Sequence, residues 1–222
     1  MTSDKEDFVA YIGSDEAGKG EWLGPLVAVA VALSYQQRSY LVTQGIMDSK
    51  KLRLDLITKL ANVIRKSCLT YRAITVPPRS FNNLMNEVKG QGRSLNDILA
   101  WAHAQAISEV LEDLTKKGIV GKIKLSIDMF DKIKTEERLR RAINLKKFVL
   151  DHRPKAETET SVAAASIIAR DVRELWIDDK SAQLHLDLRQ LTVNEALLRE
   201  DVYSFGKIQF LKNLNAKAPV IK

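Results

Sequence analysis

The spacing of apolar residues along the chain switches repeatedly between a period of two and a period near three and a half, and the switches mark out strands and helices. Phe8 to Gly13 is short, apolar and partly β-branched, which predicts a strand. The glycine-punctuated stretch from Ser14 to Pro25 reads as a loop. Leu26 to Leu33 is apolar throughout, the pattern of a strand buried on both faces. Leu54, Ile57, Leu60, Ala61 and Ile64 predict a helix from about Lys51 to Lys66, with Asp48 and Ser49 as candidate caps. Leu69 to Val76 is strand-like and stops at Pro77-Pro78. Ser94 can cap a long helix through Leu114, whose apolar positions include Leu95, Ile98, Leu99, Ala102, Ala106 and Val110; Gly118 and Gly121 follow it. Lys122 to Asp128 then alternates strictly, with Ile123, Leu125 and Ile127 on one face and Lys124, Ser126 and Asp128 on the other. A helix from about Glu136 to Ile143 and a short strand from Lys147 to Leu150 come next. An alanine-rich helix from Ser161 to Trp176 and a mostly helical remainder with a basic end complete the chain.

Strands interleaved with helices predict an α/β fold, a mixed central sheet of about five strands flanked by helices. No proline- or glycine-rich linker divides the sequence, so residues 1–222 are expected to form a single domain. Cys68 is the only cysteine, which excludes an intrachain disulfide and suits a reducing compartment. The first eight residues are polar and acidic, unlike a secretory signal. The apolar run from Leu26 to Leu33 falls far short of the ~20 residues that span a bilayer. A cytoplasmic protein without membrane attachment is the expectation. The formal charge of +7 and a pI near 9.4 suit a polyanionic partner. Many basic proteins bind nothing acidic, so charge alone does not name the partner.

Three acidic positions carry candidate chemistry. Asp15-Glu16 follows the first predicted strand and precedes Gly18 and Gly20. Adjacent carboxylates there concentrate negative charge that a hard cation bound through oxygen can neutralise. Taken alone, the pair reads first as a solvated acidic turn. Asp128 ends the alternating strand opposite three apolar side chains, where it is either a projecting carboxylate or a turn residue. Glu157 and Glu159 precede the alanine-rich helix, where a carboxylate also serves as an N-terminal cap.

Together these segments resemble the type 2 ribonucleases H, the ribonuclease HII/HIII family. Gly13-Ser-Asp-Glu-Ala-Gly-Lys-Gly20 with Gly24-Pro25 is similar to that family's first signature. Asp48-Ser-Lys-Lys-Leu52 is similar to the second, and Val162-Ala-Ala-Ala-Ser-Ile-Ile-Ala-Arg170 to the last, all in the family's order. Glu21-Trp-Leu-Gly-Pro25, Asn96 to His103 and Ile127-Asp-Met-Phe130 resemble the HIII branch. Two features depart from the pattern. HIII proteins carry an additional N-terminal substrate-binding domain, whereas about a dozen residues precede the first motif here. The step from Glu157 to Val162 is one residue shorter than the family's, which leaves Glu159 as the alternative fourth carboxylate.

The resemblance implies a ribonuclease H-like fold and hydrolysis of the RNA strand of RNA/DNA hybrids, leaving 5′-phosphate and 3′-hydroxyl ends. It implies that Asp15, Glu16, Asp128 and Glu157 hold two Mg²⁺ or Mn²⁺ ions, with Asp15 bridging them. It also implies that the Gly18-Lys19-Gly20 loop approaches the RNA backbone, where a 2′-hydroxyl distinguishes RNA from DNA. Ser49, Lys50 and Lys51 are implied phosphate contacts, though a helix cap followed by solvated lysines has the same sequence. His103, Trp101 and Trp176 read as structural. Lys207, Lys212, Lys217 and Lys222 read as a basic end that attracts a duplex or is merely solvated. Two rival functions remain: HII-like excision of single ribonucleotides embedded in DNA, and a non-catalytic hybrid-binding module. No obligate protein partner is evident.

Overall fold

The apolar strands assemble as their patterns demand. Strand β1 (Phe8–Ala17) lies at the centre of a five-stranded sheet of order β3-β2-β1-β4-β5. It pairs antiparallel with β2 (Leu26–Leu33) and parallel with β4 (Lys122–Ile127). Strand β3 (Thr70–Val76) lies antiparallel outside β2, and β5 (Phe148–Asp151) lies parallel outside β4. The structure is a computed structural model that describes residues 8–46, 52–127, 137, 140, 148–151 and 159–215.

The sheet is covered on both faces. Val27, Val29, Val31 and Leu33 of β2 pack against helix α2 (Leu54–Ser67) and the long helix α5 (Thr160–Leu184). On the other face Ala10 and Ile12 of β1, Ala30 and Ala32 of β2, and Ile123, Leu125 and Ile127 of β4 meet helix α4 (Leu95–Lys116). This explains why every residue of β2 is buried: as an interior strand it has no solvent face. The alanines of α5 let it approach the sheet closely. Gly13 continues that fit, because a Cβ there would lie 2.1 Å from the Ser161 carbonyl carbon. A third cluster joins the end of α5 to α6 (Val193–Leu197), a 3₁₀ turn (Val202–Ser204) and α7 (Ile208–Asn215) through Ile177, Leu188, Phe205 and Leu211.

Several expectations change. The first strand runs to Ala17, because residues 14–17 continue the pairing with β2 through Ala17↔Val27. Helix α1 (Tyr35–Thr43) has no apolar stripe; Leu41 is its buried residue. Its signal is the capping box of Ser34 and Gln37. Helix α3 (Pro78–Gly90) begins where the sequence pattern ends a strand, with Pro78 in the first turn and Phe81 and Met85 buried. Helix α2 starts at Leu54 after Arg53, so the helix does not reach back to Lys51. Asp48, Ser49, Lys50 and Lys51 lie outside the described residues. Trp101 is 41% exposed rather than packed, whereas Trp176 joins the third cluster. Among the described residues no helix is long and apolar enough to cross a membrane.

Candidate active site

Pleating sends adjacent residues of β1 to opposite faces, and this sets the first two carboxylates. Asp15 follows Gly13 on the α5 side, and Glu16 follows Ser14 on the α4 side. Both line a groove of about 550 Å³ where β1 ends, together with Gly18, Lys19, Ser166, Arg170 and Arg173. Asp15 is 9% exposed, and its Oδ1 accepts from the Glu16 backbone N–H at 2.8 Å.

Glu16 is held from behind by α4. His103, fully buried, places Nε2 3.0 Å from Glu16 Oε2 and Nδ1 2.7 Å from Ser14 Oγ. Ser14 Oγ also donates to the Val29 carbonyl at 2.8 Å. A carboxylate only accepts, so Nε2 is the donor in the bond to Glu16. Lys19 Nζ lies 3.5 Å from Glu16 Oε1. Burial raises the Glu16 pKa, but the hydrogen bond and charge of His103, joined by Lys19, outweigh it and hold the carboxyl below its ordinary value. Glu16 is therefore an ionised, aimed carboxylate.

The loop after β1 turns on glycines. Gly18, Gly20 and Gly24 have φ of +85°, +80° and +80°, a region that side chains with a Cβ rarely enter. At Gly18 a Cβ would also lie 2.1 Å from the Pro25 carbonyl oxygen. Two backbone bonds tie the loop to the C-terminal segment: Gly24 N–H to Phe205 O at 2.9 Å and Lys207 N–H to Trp22 O at 2.7 Å. Arg173, 7% exposed, donates to the Leu23 carbonyl at 3.0 Å and pairs with Glu21 and Glu174.

Of the sequence-derived site residues, the structure brings Asp15, Glu16, Gly18 and Lys19 into one groove; Gly20 lines the adjoining one. Asp128, Glu157, Ser49 and Lys50 lie outside the described residues. Glu159 stands at the N-cap position of α5, but its side chain makes no capping bond. It instead pairs with Arg38 at 2.6 Å, and Arg38 stacks 4.0 Å from the Tyr11 ring centroid. Lys207 departs furthest from its sequence pattern. It is fully buried, so it is no duplex-attracting surface lysine. Sequence reasoning misses Ser166, Arg170, Arg173 and Glu174. Their spacing gives the missing signal: polar residues at i, i+4, i+7 and i+8 fall on one face of the helix.

The donor chemistry suits a hard divalent cation. Asp15 and Glu16 present carboxylate oxygens to the groove, and Glu16 has its second oxygen oriented by His103, as metal-binding carboxylates commonly do. Among the described residues no group of three or more His, Cys, Asp or Glu side chains gathers, so the described part of the site is this pair.

Two carboxylates near the end of the central strand thus stand beside a glycine loop and an alanine-rich helix. The model of the family described as Ribonuclease HII matches residues 12–190, and the chain belongs to that family. Ribonuclease HIII of Protochlamydia amoebophila is 31% identical over 186 residues, 83% of this chain and 57% of the relative. Ribonuclease HIII of Chlamydia pneumoniae is 35% identical over 170 residues, 75% of this chain and 53% of the relative. The chain thus spans little more than half the length of these curated relatives. The crystal structure of Bst-RNase HIII in complex with Mn²⁺ superposes with a TM-score of 0.75 at 23% identity, over 95% of this chain and 70% of that one. Ribonuclease HII in the PCNA complex from Archaeoglobus fulgidus superposes with a TM-score of 0.61 at 31% identity, over 78% and 76% of the two chains.

Proposed function

We propose that the chain is an endoribonuclease that hydrolyses the RNA strand of RNA/DNA hybrids. The observation that carries this reading is the groove in which Asp15 and an oriented, ionised Glu16 stand beside the Gly18–Gly20 loop. A pure phosphate binder gains nothing from buried negative charge at its binding surface; a site that holds cations does. Asp15, Glu16, Asp128 and Glu157 are the proposed ligands of two Mg²⁺ or Mn²⁺ ions. Asp128 immediately follows Ile127, the partner of Ser14 in the β1–β4 register. Glu157 is preferred to Glu159, whose carboxylate is engaged by Arg38. Bound divalent cations would activate water and stabilise the departing 3′-oxygen, leaving 5′-phosphate and 3′-hydroxyl ends.

This chain's own residues then do the following. His103 fixes the rotamer of Glu16, and Asp15 projects from a strand whose neighbours hold it rigid. The glycine loop lets backbone come close to the RNA strand, where contact with the 2′-hydroxyl selects RNA. Arg170, on the groove wall, and Ser49 and Lys50 are the proposed phosphate contacts. The shared sheet and cores support one domain over residues 1–222, and the lone Cys68 supports a cytoplasmic setting.

Excision of single embedded ribonucleotides is the second reading, favoured by the Ribonuclease HII family match and the 31% identical HII structure. One experiment separates the two. A uniform RNA/DNA hybrid and a DNA duplex with one ribonucleotide are incubated with the protein and Mg²⁺ or Mn²⁺. The proposal expects metal-dependent cleavage of the hybrid, at multiple positions, with 5′-phosphate ends. Cleavage confined to the single-ribonucleotide duplex establishes the second reading instead. Binding of hybrid without cleavage under any divalent metal makes the protein a binding module.

A further inference from the structure

The Lys207 ammonium lies inside the molecule with each of its donors directed at one loop. Nζ donates to the carbonyls of Gly18 at 2.9 Å, Gly24 at 3.0 Å and Pro25 at 3.4 Å. Three donors therefore meet three acceptors, all from the connection between β1 and β2. The side chain is fully buried, with the Phe81 ring centroid 5.6 Å from Nζ. Its charged neighbours are Arg173 on α5 and Glu21 in the loop. Burial, reinforced by Arg173 and opposed by Glu21, pushes the amine down to about 7. Keeping a cation there is costly, and an apolar side chain of the same length would fill the space without that cost.

The loop gives the cost a purpose. We propose that Lys207 is a positioning residue for RNA-strand binding, whose amine fixes the Gly18–Pro25 loop in the conformation that meets the hybrid. The inference rests on the proposed function. Because the trans peptide is planar, anchoring the Gly18 carbonyl sets the direction of the whole Gly18–Lys19 peptide unit. Release of that carbonyl would let the unit rotate and carry Lys19 with it. The Gly24 and Pro25 carbonyls fix the far end of the loop against the same amine. Lys207 thus ties the segment 205–207 to the groove from beneath and needs no contact with substrate.

Two substitutions at the site and one control test this. Lys207→Met keeps the length and removes all three donors; Lys207→Gln keeps an amide donor on a shorter chain. Asn82 provides the control: it donates to the Gly206 carbonyl at 2.9 Å and accepts from Ile208 N–H at 2.9 Å. Asn82→Ala therefore loosens the same segment without removing the amine from the loop. Melting temperature, KM and kcat on a hybrid at saturating Mg²⁺, and amide exchange over residues 18–25 are measured for all four proteins. Lys207→Met is expected to raise KM roughly tenfold or more, as expected for ~1 Å misplacement of a binding group, with kcat little changed and faster loop exchange. Lys207→Gln falls between it and the parent, and serves alone if Lys207→Met does not fold. Asn82→Ala is expected to lower the melting temperature while leaving KM and loop exchange near the parent's. Equal effects of Asn82→Ala and Lys207→Met at matched stability loss overturn the proposal, as does unchanged KM and loop exchange in Lys207→Met. If the parent protein does not cleave hybrid at all, the function reading fails, and loop exchange alone still decides whether Lys207 holds the loop.

Discussion

Glu157 and Glu159 show how little separates a candidate metal ligand from a structural carboxylate in a sequence. They lie two residues apart, and the Glu157–Val162 spacing, one residue short of the family's, leaves both open. In the structure Glu159 joins two helices. Its ion pair with Arg38 ties the start of α5 to α1, and Arg38 in turn covers Tyr11. The cap expected of Glu159 is absent because Arg38 takes its side chain, a partner 121 positions away that no local pattern announces. Glu159→Gln should thus lower stability by about 1 kcal/mol, the scale of one partly buried polar contact, and keep most cleavage. Glu157→Gln should lose most cleavage at saturating Mg²⁺ with little change in melting temperature. Thermal melts and hybrid cleavage of the two variants side by side check this, and an inactive Glu159→Gln would reverse the assignment. His103 reads as structural in the sequence, and its contact with Glu16, 87 positions away, is not announced there.

At the scale of elements, most strands and helices with a strong apolar period are legible in the sequence. β2, α4 and β4 follow their patterns because their apolar positions fill the cores that cover the faces of the sheet. α1 buries little, so periodicity misses it; α3 carries an apolar stripe of Phe81, Leu84, Met85 and Val88 but begins at a proline that equally well ends a strand. The length of β1 was hidden because Asp15 and Glu16 look like loop residues; pairing with β2 keeps them in the strand. Gly13 is the element-level key to the site, since it lets the start of α5 lie against β1. Gly13→Ala would set a Cβ 2.1 Å from Ser161 C and 2.2 Å from Val162 N, both backbone atoms that cannot rotate away. The expected loss is about 1–3 kcal/mol or more in denaturant melts, with reduced cleavage as α5 shifts from Asp15. Gly20→Ala meets nothing within 4 Å and should lose only the cost of its positive φ, about 1–2 kcal/mol. Equal stability of Gly13→Ala and the parent would show that the α5–β1 contact is looser than described.

For the whole molecule, the net charge of +7 suits a polyanion, and the proposed function puts that partner in the grooves beside β1. The α/β class and the order of the signatures were legible because motif and topology run together along the chain. The proposed grip on a duplex was not, because it rests on loop shape and on Lys207, a residue whose sequence context reads as surface. The central claim is that Asp15 and Glu16 hold the cations of a hybrid-cleaving site. The measurement that tests it most directly is cleavage of a uniform RNA/DNA hybrid by Asp15→Asn and Glu16→Gln, with hybrid binding and melting temperature measured on the same samples. A cation-held charge is worth several kcal/mol and each 1.4 kcal/mol is about tenfold, so both variants should cleave at least about a hundredfold more slowly. Both should remain folded and bind hybrid at low salt as well as the parent. A folded variant of either kind that cleaves at the parental rate would contradict the account.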